Sequence, residues 1–299
     1  MRQNGLEARS RRQRRATVWA CALASLLLAG CGAAAYETRL GNTSKLFKHM
    51  DELNSNLQQS TWSDPETGIS LRAPLQFAVV PPPVKTEPDP AAAKEKPKDA
   101  AQEEAMEEEE EEEEVPDDRQ PDYINLGLPG LRGAFKATVK MISTGAAAAA
   151  DGEAFVYVLS NHDLAEKPDE AKEFKNEFIK ELTETLHVTL DPDKDSRDEK
   201  FPAGDPAVNG FVKPVKYINF TVTSPEEIAG YVRIFSAYLY EQADIQVIVL
   251  FVLPADTDTS ENLTKRIPLS LETLAVYGDR LVLPRKSGPA VGTSPASSF

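Results

Sequence analysis

Cysteine is scarce in this chain, with Cys21 and Cys31 the only two among 299 residues. A disulfide-dense scaffold and a multi-cysteine metal centre are both excluded on that count. Histidine is nearly as rare: His49, His162 and His187 have no second His or Cys at metal-ligand spacing, and no HExxH occurs. GxSxG, GxGxxG and Walker-type loops are missing too, so neither a nucleophile elbow nor a phosphate cradle is written in the chain. Positive charge is in deficit, with 33 Lys and Arg against 48 Asp and Glu for a net −15. Nucleic-acid binding through phosphate contacts needs a basic face, which this balance does not supply.

What is present begins at the N-terminus. Residues 2–15 carry six arginines against Glu7, and residues 16–30, ATVWACALASLLLAG, carry no charge. A basic stretch followed by a short apolar run reads as a secretory signal, because a spanning helix needs about 20 apolar residues. At its end, Leu28-Ala29-Gly30-Cys31 resembles the lipobox of bacterial lipoproteins. The resemblance implies that residues 1–30 are removed and that Cys31 becomes the lipid-bearing first residue, anchoring the protein to the envelope. Gly32 rather than aspartate after the cysteine then favours the outer membrane over the inner, facing the periplasm. The bland alternative is a buried cysteine beside a short apolar segment. Processing would also discard Cys21, leaving no partner for an internal disulfide, so stability must come from a packed core.

The acidity is concentrated. Residues 1–30 contribute +5, so the chain after them is −20, of which residues 85–122 hold −12 and the remainder only −8. The segment from Pro81 to Pro121 is rich in Pro, Ala and charge and includes eight consecutive glutamates, Glu107 to Glu114. Such a composition buries too little apolar surface to offset the entropy of ordering, so it is expected to be disordered. Its simplest role is a self-repelling solvated spacer; the alternative is an acidic, cation-binding tract.

Outside this insertion the hydrophobic spacing alternates between helix and strand. Leu46, Met50, Leu53 and Leu57 share one helical face within 36–60, with Phe47 beside them. Strands are predicted over 68–77, 152–161, 215–223, 230–242 and 243–254, and a turn and strand over 128–142. The uninterrupted Val247–Leu253 run marks a central strand covered on both faces. A helix opens at Pro168-Asp169 with Phe174, Phe178, Leu182 and Leu186 every fourth residue, and a second carries Leu263, Ile267, Leu271 and Leu274, with Pro268 kinking or restarting it. The hairpin-like succession from 215 to 254 argues for antiparallel pairing, hence an α+β fold with a mainly antiparallel sheet flanked by helices. The expected organisation is a leader over 1–30, an anchor and amphipathic helix over 31–67, a first strand over 68–80, the acidic insertion over 81–121, the rest of the domain over 122–279, and a disordered tail over 280–299. The order of elements, with GISLRAPLQF opening and QVIVLFVLP followed by LTKRIPLSLETL closing, resembles the Mog1/PsbP-like sandwich. That resemblance implies an accessory or binding role; the segment 188–214 departs from it.

Chemistry-bearing candidates are few. Asp191, Asp193 and Asp195 occupy the first, third and fifth positions of a calcium loop, but Ser196 stands where the turn needs Gly and Pro202 where a bidentate Glu belongs. A solvated polar loop is the simpler reading, with weak Ca²⁺ binding the alternative. His162 beside Asp163 could form an acid–base pair, although a polar surface loop explains both residues as well. The expectation is a non-enzymatic envelope lipoprotein without cofactor, held to the membrane through Cys31 and binding a protein partner. The rival is an enzyme whose site lies near His162 or within 188–214.

Overall fold

The computed structural model describes residues 34–83, 117, 119–142, 150–204, 210 and 212–277. Cys31 and the leader, the glutamate run, and the tail from 280 lie outside the described residues. The chain divides into two units, one holding residues up to Ser55 together with Pro202–Pro214, the other Asn56–Phe201 and Val215 onward.

Residues 34–56 form helix α1, which belongs to the first unit up to Ser55. Its apolar residues divide: Leu53 is buried, whereas Tyr36, Leu40, Phe47 and Met50 are exposed. The expected single face of Leu46, Met50, Leu53 and Leu57 is therefore incomplete, with Met50 turned to solvent.

The second unit is built on strands β1 (Trp62–Ser63), β2 (Ile69–Leu71), β3 (Ala78–Val80), β4 (Leu131–Lys140) and β5 (Asp151–Ser160). Helices α2 (Pro168–Leu186) and α3 (Pro192–Asp195) follow, then β6 (Arg197–Phe201), β7 (Val215–Thr223), β8 (Arg233–Gln242) and β9 (Ile245–Pro254), helix α4 (Leu263–Leu271), and β10 (Ala275–Val276). Seven strands make one sheet in the order β3-β4-β5-β9-β8-β7-β6, and β1-β2-β10 make a second. Every pairing is antiparallel, as the 215–254 succession predicts. The fold is α+β.

The apolar run of β9 sits fourth of seven, and its alternate residues enter two different cores. Val247, Val249 and Phe251 pack with Ile69, Leu71, Phe77 and the α4 residues Leu263, Ile267 and Leu271. Ile248, Leu250 and Val252 pack with Phe174, Phe178, Ile179 and Leu182 of α2. A strand in the middle of a covered sheet has no solvent face, so the period-2 signal vanishes and an unbroken apolar run remains.

Local chemistry sets the element ends. Pro168 starts α2 where its missing N–H costs nothing, Asp169 and Glu170 follow in the first turn, and His187 ends it in the left-handed region at φ 53°. His187 is thus a cap just past the helix, not part of it. The expected strand over 68–77 is divided: β2 stops at Leu71, and Pro74, which has no N–H for a ladder, lies in the turn that leads to β3 in the other sheet. Pro268 lies inside α4, which runs through it from Leu263 to Leu271. The segment 188–214, which periodicity left unassigned, supplies α3 and the edge strand β6.

Candidate functional site

Polar groups meet where β5 ends and β4 begins. The backbone approach there is close: Ser160 N–H donates to the Gly130 carbonyl at 2.9 Å, and a Cβ on Gly130 would stand 2.1 Å from the Ser160 carbonyl oxygen. Gly130 also has φ +61°, so no other residue fits this contact without displacing a strand.

Beyond Ser160 the chain turns through a short 3-10 helix, Asn161–Leu164, instead of an open loop, and His162 is 2 % exposed. The surface-loop reading of His162 is therefore corrected. Ser160 and Asn161 are fully buried beside it. Asn161 holds the turn by donating to the Ala171 and Asp244 carbonyls and accepting from the Gln246 N–H. His162 Nδ1 lies 2.5 Å from Ser160 Oγ, which lies 3.3 Å from the Gln246 carbonyl. Burial pushes the imidazole pKa down, and the neighbouring Arg132 cation pushes it further against the pull of Asp64 and Asp163. In a neutral ring, either Nδ1–H donates to Oγ and the hydroxyl proton points to the Gln246 carbonyl, or Oγ–H donates to a bare Nδ1. With either tautomer the contact lies among buried side chains, Ser160 and His162 both being shielded from solvent.

Asp163 faces the other way and pairs with Arg132. Arg132 lies at the bulge where the β4–β5 register shifts between Leu131 and Gly133. Its side chain is only 9 % exposed, bridges Asp163 and Glu66, and leaves Nε buried without a hydrogen-bond partner. Asp64 shapes the turn that carries Glu66, accepting from the Glu66 N–H and the Thr67 hydroxyl.

Against this cluster runs a groove of about 440 Å³, whose lining includes Trp62, Val79, Pro82, Pro83, Arg119 and Arg132 but neither Ser160 nor His162. Trp62 is held edge-on to Phe135, 5.7 Å between ring centroids, and lies over Gly133, where a Cβ would approach its ring to 2.5 Å. Arg119 is paired with Asp117 at 2.6 Å, which holds that carboxyl below the usual carboxylate range.

Two of the three candidate calcium carboxylates, Asp191 and Asp195, have partners within the α3 turn. Asp195 accepts from the Asp191 N–H at 2.8 Å within the α3 turn, and Lys194 pairs with Asp191. Among the described residues, no group of three or more His, Cys, Asp or Glu could hold a metal ion.

A second buried cation escaped the sequence reading. Arg233, 1 % exposed at the start of β8, donates to the Ile228 and Glu153 carbonyls at 3.1 and 2.9 Å. Its guanidinium stands 4.5 Å from the Tyr123 ring centroid and 5.6 Å from that of Phe155. Burial along β8 alternates, and its inward face is Arg233, Phe235, Ala237 and Leu239. An inward arginine is legible only once its carbonyl and aromatic partners are known. Comparison with family models, curated proteins and solved structures finds no match to this chain.

Proposed function

We propose that this chain is a bacterial envelope lipoprotein, anchored through an acylated Cys31, that serves a non-enzymatic accessory or assembly role by binding a protein partner. The anchor rests on Leu28-Ala29-Gly30-Cys31 after an uncharged run too short to span a bilayer. Gly32 favours the outer membrane, with the folded part in the periplasm.

The single observation that supports a protein partner is the groove beside β3. A tryptophan, two valines and three prolines line it, together with Asp64, Glu66, Arg119 and Arg132, next to a sheet edge that nothing pairs with among the described residues. An extended peptide laid along such an edge gains main-chain hydrogen bonds, and alternate side chains gain an apolar pocket. The layers of α2, sheet and α4 support kinship with the Mog1/PsbP-like sandwich, an analogy of fold alone. The glutamate run Glu107 to Glu114, which lies beyond β3, is assigned as the solvated acidic spacer.

The enzyme reading draws on the Ser160–His162 contact, but both residues are buried and neither lines the groove. The test is crosslinking in intact cells from a photoreactive residue at position 79, compared with one at position 199 on the opposite sheet edge. An envelope protein captured from 79 and not from 199 supports the reading, and its loss in Cys31→Ala ties it to the anchor. Equal capture from both positions, or none, sinks it.

A further inference from the structure

The exposed apolar residues of α1 have no account in the fold. Tyr36, Leu40, Phe47 and Met50 are 67 %, 57 %, 65 % and 42 % exposed. At about 100° per residue these four fall within an arc of about 80°, a stripe roughly 21 Å long interrupted by Thr43. From the structure and the neighbouring sequence we infer that this stripe is a lipid-contacting face, and that α1 lies in the membrane interface beside its own anchor.

The inference rests on the anchor reading of Cys31 and specifies what the anchor brings to the membrane. Only Gly32, Ala33, Ala34 and Ala35 separate Cys31 from Tyr36. Five residue steps reach at most about 18 Å even when fully extended, so an acylated Cys31 keeps Tyr36 near the headgroups. The spacer has no charge or bulk to hold the helix away. An interfacial helix places its apolar face about 5–10 Å into the headgroup and acyl boundary.

Charge decides which kind of surface. Residues 34–56 carry Arg39, Lys45 and Lys48 against Glu37, Asp51 and Glu52, for no net charge. The helix thus lacks the basic face that anionic lipids recruit, and the chain after residue 30 is strongly acidic. Insertion is apolar, driven by burial of the stripe and by the high local concentration that the tether imposes. It therefore proceeds on zwitterionic lipid and is insensitive to salt.

The experiment places the full chain, expressed from its own start and purified from membranes, in phosphatidylcholine vesicles brominated in the upper acyl chain. Phe47→Trp reports from the stripe, and Lys48→Trp from the exposed position one residue on. Emission of each is read against the parent chain, and the mass of the Cys31 peptide is taken on the same samples. With Cys31 acylated, the Phe47→Trp emission shifts to the blue and is quenched about two-fold or more, unchanged by added salt, while Lys48→Trp stays near the aqueous value. Acylated protein whose Phe47→Trp emission is neither shifted nor quenched overturns the inference and leaves the anchor standing. Equal quenching at both positions overturns the orientation, and a blue shift without quenching assigns the stripe to a protein surface, a second copy included, which also overturns it. An unmodified Cys31 sinks the anchor reading and this inference with it.

Discussion

The two edges of the seven-stranded sheet are built on opposite plans. At one end β6 reads Arg197, Asp198, Glu199, Lys200, Phe201, four charged residues in a row on an outermost strand. Charges along an edge discourage another strand from pairing there, a common defence against aggregation. At the other end β3 reads Ala78, Val79, Val80, uncharged, with Val79 44 % exposed. Both ends have concavities beside them: the β6 one is lined by Asp198, Glu199, Lys200, Lys216 and Glu241 with Tyr217, Ile218 and Leu239, and the β3 one by Trp62, Val79 and prolines with Asp64, Glu66, Arg119 and Arg132. One edge is closed by charge. The strand at the other carries no charge of its own and is guarded by its short length and by the prolines after it.

This contrast can be broken from either end. The largest effect on stability is expected at the closed edge, from Phe201→Ala. Phe201 is 8 % exposed and stands about one ring's width from Tyr217 and Tyr238, with centroids 6.0 and 6.3 Å away. Removing it should cost about 3 kcal/mol in urea unfolding, the lower end for a buried phenylalanine, with capture from position 79 unchanged. Gly133→Ala comes next, at about 2 kcal/mol, because the new methyl meets the Trp62 ring. Here the partner should be lost as well, since Trp62 must leave the groove. Trp62 is the sole tryptophan after residue 30, so its fluorescence reads that displacement directly.

Much of this architecture was legible before folding, and the reason lies in period. Helix α2 shows its stripe plainly because one side meets the sheet and the other meets water, so Phe174, Phe178, Leu182 and Leu186 stand out every fourth residue. The continuous run in β9 betrays a strand with no wet face. The edges were poorly legible for the opposite reason. In β6 four charged residues carry no apolar alternation, and in β3 three residues are too few to show any period. The site suffers in the same way: Glu66, Arg132 and Asp163 are far apart in sequence, and only the bulge at Leu131 and Gly133 brings them together. His162 was singled out for its neighbour Asp163, yet its contact is Ser160, and Asp163 belongs to Arg132.

The open edge also has a pH signature on the acid side. His162 lies behind it, facing Ser160, Arg132, Asp64 and Asp163, with its pKa lowered in the fold by burial and by Arg132. A histidine whose folded pKa is depressed binds a proton more readily when unfolded, so its contribution is complete above its unfolded pKa of about 6.5 and is lost as pH falls through the folded value. Stability should therefore decline on acidification below about 6.5, and His162→Asn should flatten that part of the curve, measured by urea midpoints across the range. An unchanged slope would mean the ring carries no such linkage.

The smallest effect on stability, and the sharpest on function, belongs to Val79→Lys. Val79 is already exposed, so the substitution removes little buried area and should move the unfolding midpoint by less than about 0.5 kcal/mol. A lysine there converts the open edge to the plan of the closed one, since an incoming strand must now bury or displace an ammonium. Crosslinking from position 63, within the same groove, should then fall about ten-fold, whereas the matching change at the other end, Glu199→Val, should not create capture unless the remaining charges of β6 are also removed. Undiminished capture in Val79→Lys would show that the partner does not use the β3 edge, and the difference between the two ends would then concern solubility rather than recognition.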